Sequence, residues 1–225
     1  MDYHAYADVK DVTLYYQLKR YLYLGIKRVF DIICALIGLL FLIPITIIVK
    51  IAYMLQGDFH SIFYTQNRIG KNGKEFKFFK FRSMCVDADE VLFRTLEIDQ
   101  LMREEYELNK KLKNDPRITK VGKVIRKLSI DEVPQFINVF LGDMSMIGNR
   151  PYLPREKKDM NKYYDEIIKT KPGLTGYWQV NGRSDTTFKK RLELESYYSN
   201  HMSLWFDIKI FFKTFTVVLF GRGAN

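Results

Sequence analysis

Asp131 and Glu132 are adjacent carboxylates in the stretch Asp115 to Gln135, five and six residues after Arg126. Such a pair can hold a divalent metal, attack a phosphorus atom, or cap a helix. By spacing alone, Ser129-x-x-Glu132 matches a capping box, and Asp131 could itself be an N-cap with Pro134 in the first turn. That local pattern favours a purely structural role. The charge context shifts the balance. Mg2+ typically takes one or two carboxylates plus substrate phosphate oxygens. A carboxylate that attacks phosphorus needs nearby cations to offset repulsion between anions. Lys80, Arg82, Arg126, Arg150 and Arg183 all lie in turn-rich or motif-like segments. Arginine's planar fork suits phosphate.

The elements that must position these residues can be read in outline. Residues 61–82 form a hairpin signal, with Asn72-Gly73 as a type I′ turn. On its returning strand Phe76, Phe78, Lys80 and Arg82 share one face. Taken alone, that face is a solvated edge protected by lysine. Residues 87–113 are charged and helix-prone, without Gly or Pro, and Asp115-Pro116 ends them. Val121–Leu128 resumes a helical pattern, and Asp131-Glu132 opens another helix through Val133, Phe136, Ile137 and Phe140. Gly142–Pro151 and Lys171–Arg183 are turn-rich, and a final helical stretch begins near Thr186. The fold class is α-rich α+β with a small β element, and no internal repeat is visible.

Ile32 to Val49 is eighteen residues without a charge. As a straight helix it would reach roughly 27 Å, marginal for a hydrocarbon core of about 30 Å. A cleaved signal peptide fits poorly, since 31 residues precede the run. Pro44 cannot donate to the carbonyl of Leu40, so a helix–break–helix that re-enters one leaflet competes with simple spanning. Lys19, Arg20, Lys27 and Arg28 precede the run, whereas only Lys50 follows closely. Read literally, that bias places the main domain outside, yet its basic character would draw it to an anionic cytoplasmic leaflet. Residues 11–24 and 204–220 mix aromatic and aliphatic side chains with lysine or arginine, as interfacial amphipathic helices do. For 204–220, ordinary core packing serves equally well.

The 225 residues suffice for one substantial domain and carry a net charge of +10. A basic surface suits nucleic acid, anionic lipid or phosphorylated ligands. Zinc-finger spacing and RNA-recognition signatures are missing, which argues against nucleic acid. Cys34 and Cys85 give no disulfide framework, so a reducing compartment is expected. Three scattered histidines make a zinc site improbable. Two classes remain: a membrane-bound enzyme, or a non-enzymatic basic membrane adaptor whose carboxylates only cap.

Taken together, the chain resembles the bacterial sugar transferase family, monotopic phosphoglycosyl transferases that act on polyprenyl phosphate. The resemblance is carried by Lys27-Arg-Val-Phe-Asp31, Gln66-Asn-Arg-Ile-Gly70, Phe79-Lys-Phe-Arg-Ser-Met84 and Asp115 to Gln135. It continues through Gly142-Asp-Met-Ser145, Arg150-Pro151, Lys171 to Arg183 and Ser203-Leu-Trp-Phe-Asp-Ile208, in family order over residues 26–220. It implies transfer of a sugar-1-phosphate from a UDP-sugar to undecaprenyl phosphate with release of UMP. The aspartate matching Asp131 would be the nucleophile, forming an aspartyl-phosphosugar. Glu132 would work with Asp131 in placing Mg2+. Arg126, Arg150 with Pro151, and Arg183 would bind the nucleotide-sugar, supported by Lys80 and Arg82.

The resemblance further implies a re-entrant helix broken near Pro44, both termini cytoplasmic, at the bacterial cytoplasmic membrane. The expected division is an amphipathic extension (1–25), a membrane helix–break–helix (26–52) and a compact cytoplasmic catalytic domain (53–225). Expected partners are UDP-sugar, undecaprenyl phosphate and the bilayer, with room for downstream glycosyltransferases. The glycan would be capsule, exopolysaccharide or O-antigen, and Trp178, Asp185–Phe188 and Trp205 lean toward a hexose. Gly-Asn-Arg-Pro departs from the Gly-Pro-Arg-Pro of many relatives, which leaves the backbone around Asn149 open.

Overall fold

The structure, a computed structural model, describes residues 3–182 and 186–219. In chain order it comprises helix α1 (Tyr3–Met54), strands β1 (Phe63–Ile69) and β2 (Glu75–Phe81), and helices α2 (Ala88–Ile98), α3 (Gln100–Asn109), α4 (Lys120–Lys127) and α5 (Gln135–Leu141). There follow β3 (Ser145–Ile147), α6 (Lys157–Met160), α7 (Tyr164–Ile167), β4 (Gly173–Thr175), α8 (Tyr177–Val180), α9 (Phe188–His201) and α10 (Leu204–Leu219). The class is helix-rich with two small sheets.

α1 runs as one helix through the apolar segment and across positions 25 and 26, so no element boundary separates the expected extension from the membrane segment. Helical structure also continues through Pro44, and the expected interruption is not there. Loss of the single bond to the Leu40 carbonyl does not by itself end a helix. Here Thr46 Oγ1 donates to the Leu42 carbonyl at 2.6 Å, a contact of the kind that bends helices.

One face of α1 lies against the rest of the chain for most of its length. Lys27 pairs with Asp207 on α10 (2.5 Å), and Arg28 caps the Val139 and Phe140 carbonyls at the end of α5. Asp31 Oδ1 accepts from Ser145 Oγ (2.9 Å) and Met146 N (2.8 Å). Ala35 is buried with Phe78, Val139 and Met144, and a Cβ on Gly38 would meet the Phe136 ring at 2.4 Å. Val49 and Tyr53 complete the stripe against Phe81 and Val121. These positions recur every three or four residues, the spacing of one helical face. The opposite face, including Ile33, Ile37, Leu40, Ile43, Ile47 and Ile51, is exposed and apolar.

β1 and β2 pair antiparallel, with Ile69 opposite Glu75. Asn72 and Gly73 adopt positive φ (59° and 77°), as a type I′ turn requires. The expectation of a solvated edge for β2 fails. Phe78 packs on the α1–α5 side, Phe81 on the α1–α4 side, and both are buried. The outer edge is closed by α5: Asn138 accepts from Phe79 N (3.0 Å) and donates to the Lys77 carbonyl (2.6 Å). A polar edge satisfied this way presents no free ladder.

The helix-prone segment 87–113 divides at Asp99, whose side chain accepts from Met102 N (3.0 Å) and starts α3. β3 and β4 form a second, parallel sheet inside segments read as turns. α10 combines a buried face (Asp207, Ile210) with an exposed one (Trp205, Phe212, Phe215). Cys34 and Cys85 are free.

Candidate active site

Asp131 lies in a 3-10 turn, Ile130–Glu132, between α4 and α5. Ile130 and Val133 dock on the cluster containing Phe81, Val121 and Ile125, which fixes the turn beside β2. The capping reading fails. Ser129 is in the left-handed region (φ 56°) and makes no cap bond, while α5 begins only at Gln135, with Pro134 before it. The carboxylates therefore open no helix, and capping does not explain them.

α4 is anchored by Thr119, which accepts from Gly122 N at 2.9 Å. It delivers Arg126, whose Nε donates to Ser83 Oγ at 2.8 Å. β2 delivers Lys80, half-buried, with its ammonium over the Tyr64 ring. Burial raises the Asp131 carboxyl above the usual range, opposed by the positive charges of Lys80 and Arg126. Burial lowers Lys80 to about 8, Arg126 repels its charge further, and Asp131 opposes the shift. Arg126 is likewise lowered by burial and held charged by Asp131. Asp131, Lys80 and Arg126 thus form one electrostatic unit.

A second set of cations extends this unit. Arg68, on β1, is 8 % exposed; its Nη1 donates to the Pro151 carbonyl (3.0 Å) and its Nη2 to Gln66 (3.0 Å). Pro151 therefore contributes backbone. Arg150 and Arg191 lie over the Trp178 ring, at 5.8 and 4.8 Å. Burial and Arg150 together lower Arg68 to about 10, and they lower Arg191 as well. Arg68 Nε, Arg150 Nε, Arg191 Nε and Trp178 Nε1 are buried N–H donors without a protein partner. Donors of this kind, on cations or aromatic rings, suit an anion.

One predicted residue stands apart. Arg82 is turned away: its Nη2 pairs with Asp58 (2.9 Å), and its other nitrogens donate to the Ser61 and Met84 carbonyls. The Tyr53 hydroxyl donates to the Arg82 carbonyl. Arg82 is a structural anchor because each of its three nitrogens donates to protein. Arg183 and Asp185 lie outside the described residues. Glu132 is half-exposed beside Asp131. Asn149 is buried, with its amide donating to Ser199 (2.6 Å), Thr170 (3.1 Å) and the Ile167 carbonyl (3.2 Å), so the position departing from Gly-Pro-Arg-Pro is a structural tie.

Sequence reasoning missed Arg68, Arg191 and Glu195. On α9 the buried residues Phe188, Arg191, Leu192, Glu195 and Tyr198 follow helical spacing, which sets two charges on the core face. That periodicity was the available signal.

Among the described residues no three His, Cys, Asp or Glu side chains gather into a closed cage. Two adjacent carboxylates fit Mg2+ nonetheless, because that ion draws its remaining ligands from phosphate and water.

The bacterial sugar transferase family matches residues 22–221. Undecaprenyl-phosphate galactose phosphotransferase of Salmonella typhimurium is 44% identical over 202 residues, 88% of this chain and 41% of that protein. The exopolysaccharide production protein ExoY of Rhizobium meliloti is 40% identical over 198 residues, 88% of this chain and 87% of that protein. UDP-glucose:undecaprenyl-phosphate glucose-1-phosphate transferase of Escherichia coli is 38% identical over 201 residues, 84% of this chain and 39% of that protein. The chain spans less than half the length of the first and third, and most of the second. A match over nearly the whole chain, with Asp131 set between the half-buried cations Lys80 and Arg126, identifies it as a member of the bacterial sugar transferase family.

Proposed function

We propose that the protein transfers a sugar-1-phosphate from a UDP-sugar to undecaprenyl phosphate, releasing UMP and initiating assembly of a membrane glycan. The observation that carries this is the charge arrangement: one partly buried carboxylate, Asp131, faced by Lys80 and Arg126 and adjoining the Arg68–Arg150–Arg191 set. Cations so placed offset the repulsion that an anionic nucleophile meets at a diphosphate. The names of the relatives support the same substrates.

In this reading an Asp131 oxygen attacks the β-phosphorus of the UDP-sugar. The bond from that phosphorus to the bridging oxygen breaks, and the oxygen leaves on UMP. A phosphate oxygen of undecaprenyl phosphate then attacks the same phosphorus and displaces Asp131. Lys80 and Arg126 hold the transferred phosphoryl, while Arg68, Arg150, Arg191 and Trp178 present donors to the neighbouring phosphate. Mg2+ held by Asp131 and Glu132 would neutralise charge on the phosphate oxygens. The hexoses in the relatives' names, galactose and glucose, favour a hexose here.

The exposed apolar face of α1 would lie in the bilayer, with both ends of the membrane segment on the cytoplasmic side of the inner membrane. The contacts of both Lys27 and Tyr53 with one folded body support that arrangement.

Purified protein in detergent, supplied with UDP-galactose or UDP-glucose and undecaprenyl phosphate, should release UMP in a Mg2+-dependent way. Asp131→Asn should lower turnover at least 1,000-fold, on the order of what loss of a covalent nucleophile costs. Full turnover by that variant would overturn the assignment.

A further inference from the structure

Glu195 lies beneath the arginine set and has no part in the chemistry above. It is 1% exposed, on α9, four residues after Arg191. Its Oε1 accepts from the backbone N of Arg150 at 2.8 Å, and its Oε2 makes no well-formed hydrogen bond, the Tyr152 hydroxyl being the donor that faces the carboxylate. The groups facing it are Arg150 and Tyr152 from the segment after β3 and Arg191 from its own helix, with Glu156 acting on Arg191. An unpartnered carboxylate oxygen in a dry interior persists only where positive charge compensates it or a proton neutralises it. Arg150 and Arg191 supply that positive charge, and their unpartnered Nε donors, with Trp178 Nε1, mark where an anion would bind.

Once a phosphate occupies those donors, the two guanidiniums face two anions in one buried volume. The carboxylate is then disfavoured by its new like-charged neighbour. We propose that Glu195 is a positioning residue that holds the Arg150 backbone and acts as an exchangeable counter-ion, ionised when the arginines are free and protonated from solvent when they bind a phosphate dianion. This rests on the reading that the arginine set takes a nucleotide phosphate. Burial pushes the Glu195 carboxyl up to about 8 with the arginines free, so the free site is ionised, and the exchange operates, at and above that pH. It would let the site stay charge-compensated between turnovers and still accept a dianion, the proton replacing the charge that the ligand takes over.

The test is calorimetric binding of UMP to the full chain at pH 8.5, in two buffers of different ionisation enthalpy. The phosphate of UMP, with its second pKa near 6, is already a dianion there. The unmutated protein should take up roughly half to one proton per UMP. Lys80 is the other group able to contribute, so the deciding quantity is the difference made by Glu195→Gln, which mimics the protonated form. That variant should lose most of the uptake, and its UMP affinity should become flatter between pH 7.5 and 9.5. Lys80→Met provides an independent arm should Glu195→Gln fail to fold: uptake must persist in it. Unchanged uptake in Glu195→Gln, or its disappearance in Lys80→Met, overturns the counter-ion role and leaves the arginine site standing. Failure of the unmutated protein to bind UMP overturns both.

Discussion

Arg82 and Arg126 carry the same charge in one corner of the fold, yet their surroundings give them opposite work. Arg82 has its donors engaged by Asp58, Ser61 and Met84, whereas Arg126 makes one bond to Ser83 and feels Asp131. Arg82→Ala should therefore cost about 2–4 kcal/mol in urea unfolding, since it strands Asp58 and two carbonyls. Arg126→Ala should instead lower UMP release by 100-fold or more with a smaller loss of stability. Equal unfolding midpoints for the two variants would contradict this division. Glu195 gives a residue-scale prediction in pH. Its folded-state pKa, about 8, exceeds the ordinary glutamate value of 4.5. Between those two pH values the folded state binds the extra proton, so this group's contribution is full below about 4.5 and is lost as pH rises through 8. Glu195→Gln has no such titration. Unfolding at pH 5 and pH 8.5 should then show the unmutated protein losing up to a few kcal/mol relative to the variant. Parallel pH profiles would contradict the shift.

Among the elements, α4 shows how tightly the site depends on backbone approach. A Cβ on Gly122 would sit 1.9 Å from the Ser83 carbonyl oxygen and 2.7 Å from its carbon, and backbone cannot swing aside as a side chain can. Gly122→Ala should push α4 off β2 and carry Arg126 with it, costing about 2 kcal/mol or more and most of the activity; near-normal turnover would show the contact to be looser. Such facts explain which elements were legible beforehand. The β1–β2 hairpin follows from local chemistry, Asn72-Gly73 being suited to two successive positive φ angles, and α9, expected to begin near Thr186, begins at Phe188 behind its cap Thr187. By local pattern the turn holding Asp131 resembles a helix start, because Ser129 and Glu132 match a cap. Docking of Ile130 and Val133 on β2 and α4, a contact between distant segments, wins over that pattern. The β3–β4 pair escaped for a similar reason, since three-residue strands joined across 25 residues leave no periodicity to read. Of the candidate site, Asp131, Lys80, Arg126 and Arg150 are legible as motif residues. Arg68 and Arg191 needed the tertiary packing that brings β1 and α9 beside Arg150.

For the whole molecule, the decisive feature is that one folded body touches α1 near both ends of the apolar segment. From Lys27 to Tyr53 a helix advances about 39 Å, more than the hydrocarbon thickness of about 30 Å. Were those residues in opposite aqueous phases, the body bound to Asp207 at one end and Arg82 at the other would have to cross the bilayer with them. That body holds Lys80, Arg126, Arg150 and Asp131, and burying such charges in lipid costs several kcal/mol each. A membrane position that submerges only the exposed face, with Ile33, Ile37, Leu40, Ile43 and Ile47, avoids this cost. It also turns the exposed Trp205, Phe212 and Phe215 of α10 into candidates for the interface, where aromatic rings are favoured. Single cysteines at Leu14 and Lys123, in a background with Cys34 and Cys85 replaced by alanine, report on the two sides of the segment. An impermeant maleimide should label both in inside-out vesicles and neither in right-side-out vesicles. Labelling of Leu14→Cys in one preparation and Lys123→Cys in the other would mean that α1 spans the membrane, and the contacts of Lys27 and Tyr53 with a common body could not both persist in the bilayer.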